Sequence, residues 1–425
     1  MSYESAVAQL EQTNATLVQE VVRARDAIMG LNRMYATITE GRTAVKNGEY
    51  FTVPGSGMVY ATLYKKTGST TQQTVAEFPS RSAYDNLVTQ ANAATSTAQQ
   101  AKNDVTTIKQ KSPSILKRDL LRDSVEAQSG GRNTVRYTAK GEPCYFYVFP
   151  KYNLEDLPGW SSADGTGPHP AFIQNEVEKG YILYGMYQAA EIAGEAVSQP
   201  YMAPRHTISY DNALALCRAS GAGFDIAGGW DWAAIALWSM ANGFQPRGNS
   251  AHGRSHEKLW ETGRLVDPSL PLGVPDAAGK NTLTGSGPNS WRHDNSPHGI
   301  ADLAGNVWEW NSGFKLIDGV AHIAPDNGTY TESQYLNTSF SPAIANPWSN
   351  TSAVGAPNIL KQALIVPSAM AKPVGGGYIN TEGERLPIRG GNRHTGGYVG
   401  LGALNLSYVR TFVGSSLGFR LTYRE

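Results

Sequence analysis

Residues 389–420 read RGGNRHTGGYVGLGALNLSYVRTFVGSSLGFR. Between Gly390 and Gly418 the only formal charges are Arg393 and Arg410. The remainder is small, polar and aromatic, set around a short apolar spine, Ala403-Leu404-Asn405-Leu406. That spine alternates as a half-buried strand does. The end alternates too: Leu417, Phe419, Leu421 and Tyr423 fall on one face, Arg420 and Thr422 on the other. Strand flanks around such an insert predict a presented surface, because Tyr gives contact area at low entropic cost while Ser, Gly and Asn adapt. An ordinary Gly-rich sheet edge has the same composition.

The chain around this segment has 425 residues, more than one ordinary core holds, so two or three domains are expected. Formal net charge is zero, which gives no footprint for nucleic acid or an acidic membrane. No apolar run reaches the roughly 18 residues of a spanning helix. The N-terminal MSYESAVAQLEQ lacks the basic region and apolar core of a secretory signal. Two cysteines, Cys144 and Cys217, fit synthesis in a reduced compartment, although they could pair.

Tyr3, Val7, Leu10, Asn14, Leu17, Val21, Ala24, Ile28, Leu31, Tyr35 and Ile38 recur in steps of four and three. That is a heptad seam of about five repeats, and one rod of roughly 50 Å. Asn14 is a polar residue of the kind that fixes register. A second, Ala-rich seam runs through Tyr84, Leu87, Ala91, Ala94, Ala98, Ala101, Val105 and Ile108. Between them, short strands with Pro-Gly and Thr-Gly turns predict a small β module. The expected organisation is a coiled coil over 1–41, a β module over 42–80, a second coiled coil over 81–111, a linker with entry strands over 112–144, and a globular domain over 145–425. Two seams around a β module describe a fibrous oligomer, taken here as a trimer. In the globular part Ser209 is an expected N-cap, and Trp230 to Ala241 an expected helix ending before Gly243. The stretches 243–300 and 315–372 are poor in periodicity and read as long loops.

Three blocks of the globular part resemble a known family. ISYDNALALCRASGAGFDIAGGWDWAAIALW, HGIADLAGNVWEW (298–310) and RGGN followed by LGFRL resemble the formylglycine-generating-enzyme-like branch of the C-type lectin fold, in order and spacing. The resemblance implies an α+β C-type lectin domain on the coiled-coil and β-module stalk. Gly305 and Asn306 suit a turn with unusual backbone angles, and Val307, Trp308 and Trp310 supply apolar area. The family's copper oxygenases use a cysteine pair near the last strands, and here no cysteine follows Cys217. Its sulfoxide-forming members use three histidines on an added helical bundle; His252 and His256, with Glu257, have i, i+4 spacing, but Gly253 and its neighbours argue against a helix. Glu176 and Glu178 read as solvated. No enzyme is expected.

The final segment is also similar to the variable region of proteins diversified by retroelements that rewrite adenines. By that resemblance Arg389, Gly390, Gly391, Asn392, Ala403, Leu404, Asn405, Leu406, Arg410, Gly418, Phe419 and Arg420 are scaffold, with Asn306, Trp308 and Trp310 beside them. The ligand-binding positions expected to vary are Arg393, His394, Thr395, Gly397, Tyr398, Ser407, Tyr408, Thr411, Phe412, Val413, Gly414 and Ser415. No cofactor is expected, except that calcium near Asn306 and Glu309 would suit the family; the alternative is that Glu309 satisfies backbone N–H groups. The implied function is a phage tail-fibre receptor-binding protein in the virion tail. Its expected partners are a host protein or glycan, its own copies, and other tail or baseplate proteins through the N-terminus. Nucleic acid and membrane insertion are not expected. An enzyme of the same fold acting on a surface peptide or glycan is the alternative, and a fibre component whose C-terminal domain only trimerises is a third.

Overall fold

The computed structural model describes residues 34–80, 82–100 apart from 83, 84, 87, 91 and 94, then 119–275, 280–370 and 372–425. The chain divides into two compact units, Met1–Arg118 and Asp119–Glu425. No helix among the described residues is long and apolar enough to cross a membrane.

In the first unit β1 (Tyr50–Pro54), β2 (Val59–Lys66) and β3 (Gln72–Pro79) form an antiparallel sheet. Helix α1 (Ile38–Ala44) starts at Thr37, whose hydroxyl accepts from the Glu40 N–H. Gly41 is buried because the Phe51 ring lies where a Cβ would stand. The β module expected from residue 42 therefore begins earlier. Met34 bridges to Thr52, and the Tyr35 N–H donates to the Thr52 carbonyl. The first seam is thus not helical through Tyr35: backbone pairing with β1 takes that residue. Its positions from Tyr3 to Leu31 lie outside the described residues, as do Tyr84, Leu87, Ala91, Ala94, Ala101, Val105 and Ile108 of the second. Ala98 is helical and exposed.

The second unit begins at Asp119, not at 145. Asp119 caps α2 (Leu120–Ser129) by accepting from the Arg122 N–H, and Gly130 closes it at φ 61°. What was expected as linker and entry strands is the edge of a twelve-stranded mixed sheet of the described residues. Its strands are β4 (Asn133–Tyr137), β5 (Pro143–Pro150), β6 (Tyr181–Gln188), β7 (Phe224–Ile226), β8 (Trp308–Trp310), β9 (Phe314–Ile317), β10 (Val320–Ile323), β11 (Leu336–Asn337), β12 (Gly377–Ile379), β13 (Glu384–Gly390), β14 (Gly400–Tyr408) and β15 (Leu417–Tyr423). The path runs β11-β10-β9-β13-β8-β15-β6-β5-β4, with β7 on β15 and β14 between β12 and β13.

Helix α3 (Tyr210–Ala219) is capped by Ser209 as expected. Helix α4 (Gly229–Ala241) carries Trp230, Trp232, Ile235 and Leu237, all buried. A helix that is apolar all round belongs inside. It lies in one hydrophobic cluster with Leu401, Leu404 and Leu406. Ala403, Leu417, Phe419, Leu421 and the α3 residues Ala213 and Cys217 form another. Strands β14 and β15 are therefore covered on both faces, correcting the half-buried reading; Arg420 and Thr422 are as buried as Phe419. Alternation survives because the second face buries polar groups in hydrogen bonds.

The polar face of β15 carries one ion pair. Trp308, Glu309 and Trp310 pair in parallel with Leu417, Gly418 and Phe419. Arg420 Nε and Nη2 donate to the two Glu309 carboxylate oxygens at 2.8 and 2.7 Å. The guanidinium also donates to the carbonyls of Gly185 and Ala301 and stands 5.5 Å from the Tyr184 ring. Gln188 Nε2 donates to Glu309, and Gln188 Oε1 accepts from Asn306 Nδ2. Asn306 has φ 65° after Gly305 at 81°, as the sequence suggested. Its side chain also accepts from the Thr282 N–H and donates to the Thr282 carbonyl.

Glu309→Gln removes one charge of a fully buried pair and should lower unfolding free energy by about 3–5 kcal/mol, measured by urea denaturation. A second expectation concerns acid. Buried His169 accepts from the Ala171 N–H through Nδ1, and buried His293 accepts from the Ile300 N–H through Nδ1. Burial pushes His169 down to about 4, and lowers His293 too. Their unfolded pKa is about 6.5. The stability they contribute is present above about pH 6.5 and is lost as pH falls toward 4. Unfolding free energy should already decline between pH 6.5 and 5; a flat profile there contradicts neutral burial.

Candidate ligand-binding face

Two loops flank β14, one joining β13 to its Gly400 end and the other running from its Tyr408 end to β15. The first follows β13, where Gly390 and Gly391 adopt φ 90° and 85°, a region open to Gly at little cost. Asn392 then organises the turn: its Oδ1 accepts from the His394 N–H and the Thr395 hydroxyl, at 3.0 and 2.7 Å. The second loop joins β14 to β15. It closes with Phe412 N–H donating to the Val409 carbonyl and Leu417 N–H to the Gly414 carbonyl. Asn392 Nδ2 donates to Ser416 Oγ, and Arg393 Nη1 donates to the Ser415 carbonyl and Asn281 Oδ1, so the loops are pinned together.

The twelve positions expected to vary separate by exposure. His394, Gly397, Tyr398, Thr411, Phe412, Val413 and Ser415 are exposed; Thr395, Ser407, Tyr408 and Gly414 are half-buried. Arg393 is the correction. It is 4% exposed, and its guanidinium holds the neighbouring loop and is spent on internal acceptors. The scaffold residues Arg389, Gly390, Gly391, Asn392, Asn306, Trp308, Trp310, Ala403, Leu404, Asn405, Leu406, Gly418, Phe419 and Arg420 are buried. Arg389 Nη2 donates to the Leu364 carbonyl at 2.9 Å, and Trp310 Nε1 to the Ile208 carbonyl. Gly418 lets the Arg205 carbonyl approach where a Cβ would stand.

Arg410 anchors the second loop. Its guanidinium reaches Glu384, Glu332 and Asp211 and lies 5.7 Å from the Tyr210 ring. Lys315 joins the same cluster through Glu332 and Glu384 at 2.8 and 3.2 Å.

Between the loops lies a groove of about 560 Å³. Trp308, Ile388 and Leu417 are its buried apolar floor, with Asn405 beside them. One wall is Tyr378, edge-on to Trp308 at 6.4 Å. The other is Tyr408 stacked on Phe412 at 4.0 Å, and His394 and Thr395 line the mouth. A register shift between β13 and β14, where Leu386 faces Tyr408 and Ile388 faces Asn405, turns these side chains toward the groove. The sequence reading missed Tyr378. Its signal was the preceding Gly375-Gly376-Gly377: a Cβ at each would meet the Ala403 backbone, Tyr398 or the Ala345 carbonyl. His394 is held below the usual histidine range by burial, then by Arg393 and His252, and is neutral at pH 7.

The metal expectations do not fit. Both Glu309 oxygens face the Arg420 guanidinium and Asn306 is spent on Gln188 and Thr282, so a dication there would meet a buried cation. Nor does Glu309 serve backbone N–H groups; its partners are side chains. His252 lies in irregular chain at φ 54°, stacked 6.3 Å from His394, and His256 Nδ1 pairs with Ser250 Oγ. Among the described residues no three His, Cys, Asp or Glu gather as a metal set. Glu176 and Glu178 are exposed, and Cys144 and Cys217 are free and buried, with burial pushing Cys144 up to about 12.

No protein-family model matches this sequence, and no curated protein does. Among solved structures the chain is similar to Treponema denticola variable protein 1, with 12% identity, 69% of this chain and 99% of that chain covered, and a TM-score of 0.31. It is also similar to PvdO from Pseudomonas aeruginosa, with 13% identity, 69% and 98% covered, and a TM-score of 0.31. Likenesses this distant carry no functional argument.

Arg393→Ala should lower stability by about 1–3 kcal/mol by stripping the Ser415 and Asn281 acceptors of a buried donor. His394→Ala, one residue on and exposed, should stay within about 0.5 kcal/mol. Urea denaturation of the two variants distinguishes pin from face.

Proposed function

We propose that this chain is a receptor-binding protein of a phage tail fibre, an adhesin that attaches a virion to a host cell-surface receptor. In this reading the C-terminal unit is a C-type lectin domain of the formylglycine-generating-enzyme-like kind, diversified at its exposed loops. The observation that supports it most is the division of the final segment. Eleven of the twelve changeable positions are exposed or half-exposed, nine on the connections and Ser407 and Tyr408 at the last two positions of β14, while the rest of the strands that carry them is buried. A surface whose side chains exchange without touching the core is what a diversified binder requires.

The N-terminal seams belong to the same reading. A homotrimeric stalk would present several faces at once, and linking sites raises avidity by about 10²–10⁴ over one contact. A weak, newly altered face then still attaches. The N-terminus would dock on other tail or baseplate proteins. The protein would work in the virion tail, binding its receptor without turning it over.

The test is adsorption. Replacing Tyr398, Tyr408 and Phe412 together with Ala should abolish binding to host cells while oligomer state is kept and the melting temperature falls by only a few degrees. Undiminished adsorption by that variant contradicts the assignment of the face.

A further inference from the structure

This inference rests on the display reading and names what the groove holds. Six aromatic or apolar side chains shape it: Trp308, Ile388, Leu417, Tyr378 and the Tyr408–Phe412 stack at its side. No Asp, Glu, Lys or Arg lines it. An ionic ligand would therefore lose its hydration with no opposite charge to meet.

One polar feature singles out the ligand's chemistry. Asn405 is 8% exposed, and its Oδ1 accepts from the Ser407 N–H at 2.9 Å, which fixes the oxygen end of the amide. Its Nδ2 donates to no group among the described residues, yet Asn405 lines the groove. That donor opens on the groove, where water can meet it, and a ligand carbonyl that takes the water's place keeps the hydrogen bond. Ser407, two residues along the same strand, adds a hydroxyl at the groove wall. A larger cavity of about 690 Å³, between α3 and residues 324–335, lacks such a feature in its charges: Asp225 meets Arg218 and Arg424, Glu332 meets Lys315 and Arg410, and Asp326 accepts from the Asn175 and Gly328 N–H groups.

We infer that the groove binds an uncharged N-acetylated amino-sugar residue of a host surface glycan, its acetamido carbonyl on Asn405 Nδ2 and its acetamido methyl on the Trp308–Leu417 floor. The acetamido group offers a neutral acceptor beside a methyl, which matches a lone donor set among apolar side chains. The sugar ring would lie along Tyr378 and Tyr408, its hydroxyls toward Ser407 and Thr395. A volume of about 560 Å³ falls within the roughly 300–1,000 Å³ of small-molecule sites and takes one or two sugar units.

The test uses the full chain and two disaccharides of the same skeleton, di-N-acetylchitobiose and cellobiose, followed by saturation-transfer NMR and calorimetric titration. Di-N-acetylchitobiose should bind in the millimolar range, with the acetamido methyl most strongly saturated, and cellobiose about tenfold or more weaker. Asn405→Leu should weaken the acetamido sugar about tenfold, and Ser407→Ala, a milder change in a half-buried residue, about two- to fivefold with an unchanged melting temperature. Equal binding of both disaccharides, binding of neither, or full binding by both variants overturns the inference. Host adsorption read in parallel separates the two claims. If the chain adsorbs, loses adsorption in the Tyr398, Tyr408, Phe412 triple variant and binds no acetamido sugar, the sugar class falls and the display reading stands. If protease treatment of host cells abolishes adsorption and excess di-N-acetylchitobiose does not compete with it, the receptor is a protein surface and the inference is overturned.

Discussion

The bidentate pair between Glu309 and Arg420 holds the second unit in register. It joins the centre of the GNVWEW run to the last strand, across a separation of 111 residues. A lone charge in that interior would be costly, and the remaining guanidinium protons and carboxylate lone pairs are met by Gly185, Ala301, Gln188 and, through it, Asn306. A buried pair of this kind adds little net stability over a hydrophobic one but punishes any arrangement that separates its members. Here that means one parallel register of β8 on β15. From it follow the positions of β13 and β14, and of the two loops at their ends.

The same layout divides labour between core and loops. Because both faces of β14 and β15 are covered up to Leu406 and from Leu417 on, these stretches cannot change without disturbing packing, and freedom is confined to the connections and the last two residues of β14. Those connections are short of internal charge but tied at the base, one by the Arg410–Glu384–Glu332 cluster, the other by Asn392 and Arg393. Side chains at the tips are then exposed while their backbone is held. A rigid frame spares a binder part of the ordering entropy on association.

Much of this was legible in the sequence where one residue type has one physical use. Gly305-Asn306 announced unusual backbone angles, Ser209 announced a cap, and the stretch from Trp230 to Ala241 announced a helix ending before Gly243. Exposure of the tips followed from composition. Arg393 was misread because its place on the face came from the resemblance; only the fold reveals Asn281 and the Ser415 carbonyl waiting for it. Tyr378 was missed because it reaches the groove from a separate strand. The half-buried reading of β14 failed because a period of two reports a difference between faces, not which face meets water. The entry strands before residue 145 were legible, but their membership of the domain's sheet was not, because the pairing with β5 is a tertiary fact.

The central claim is a fixed frame with an exchangeable face, and a saturation library with proteolytic stability as the readout tests it most directly. Every substitution would be made at His394, Thr395, Gly397, Tyr398, Thr411, Val413 and Ser415, and likewise at Arg393, Leu404, Glu309 and Arg420. The account predicts that most changes in the first group leave stability intact, while nearly all changes in the second lower it by about 1 kcal/mol or more. Equal sensitivity of the two groups would contradict it.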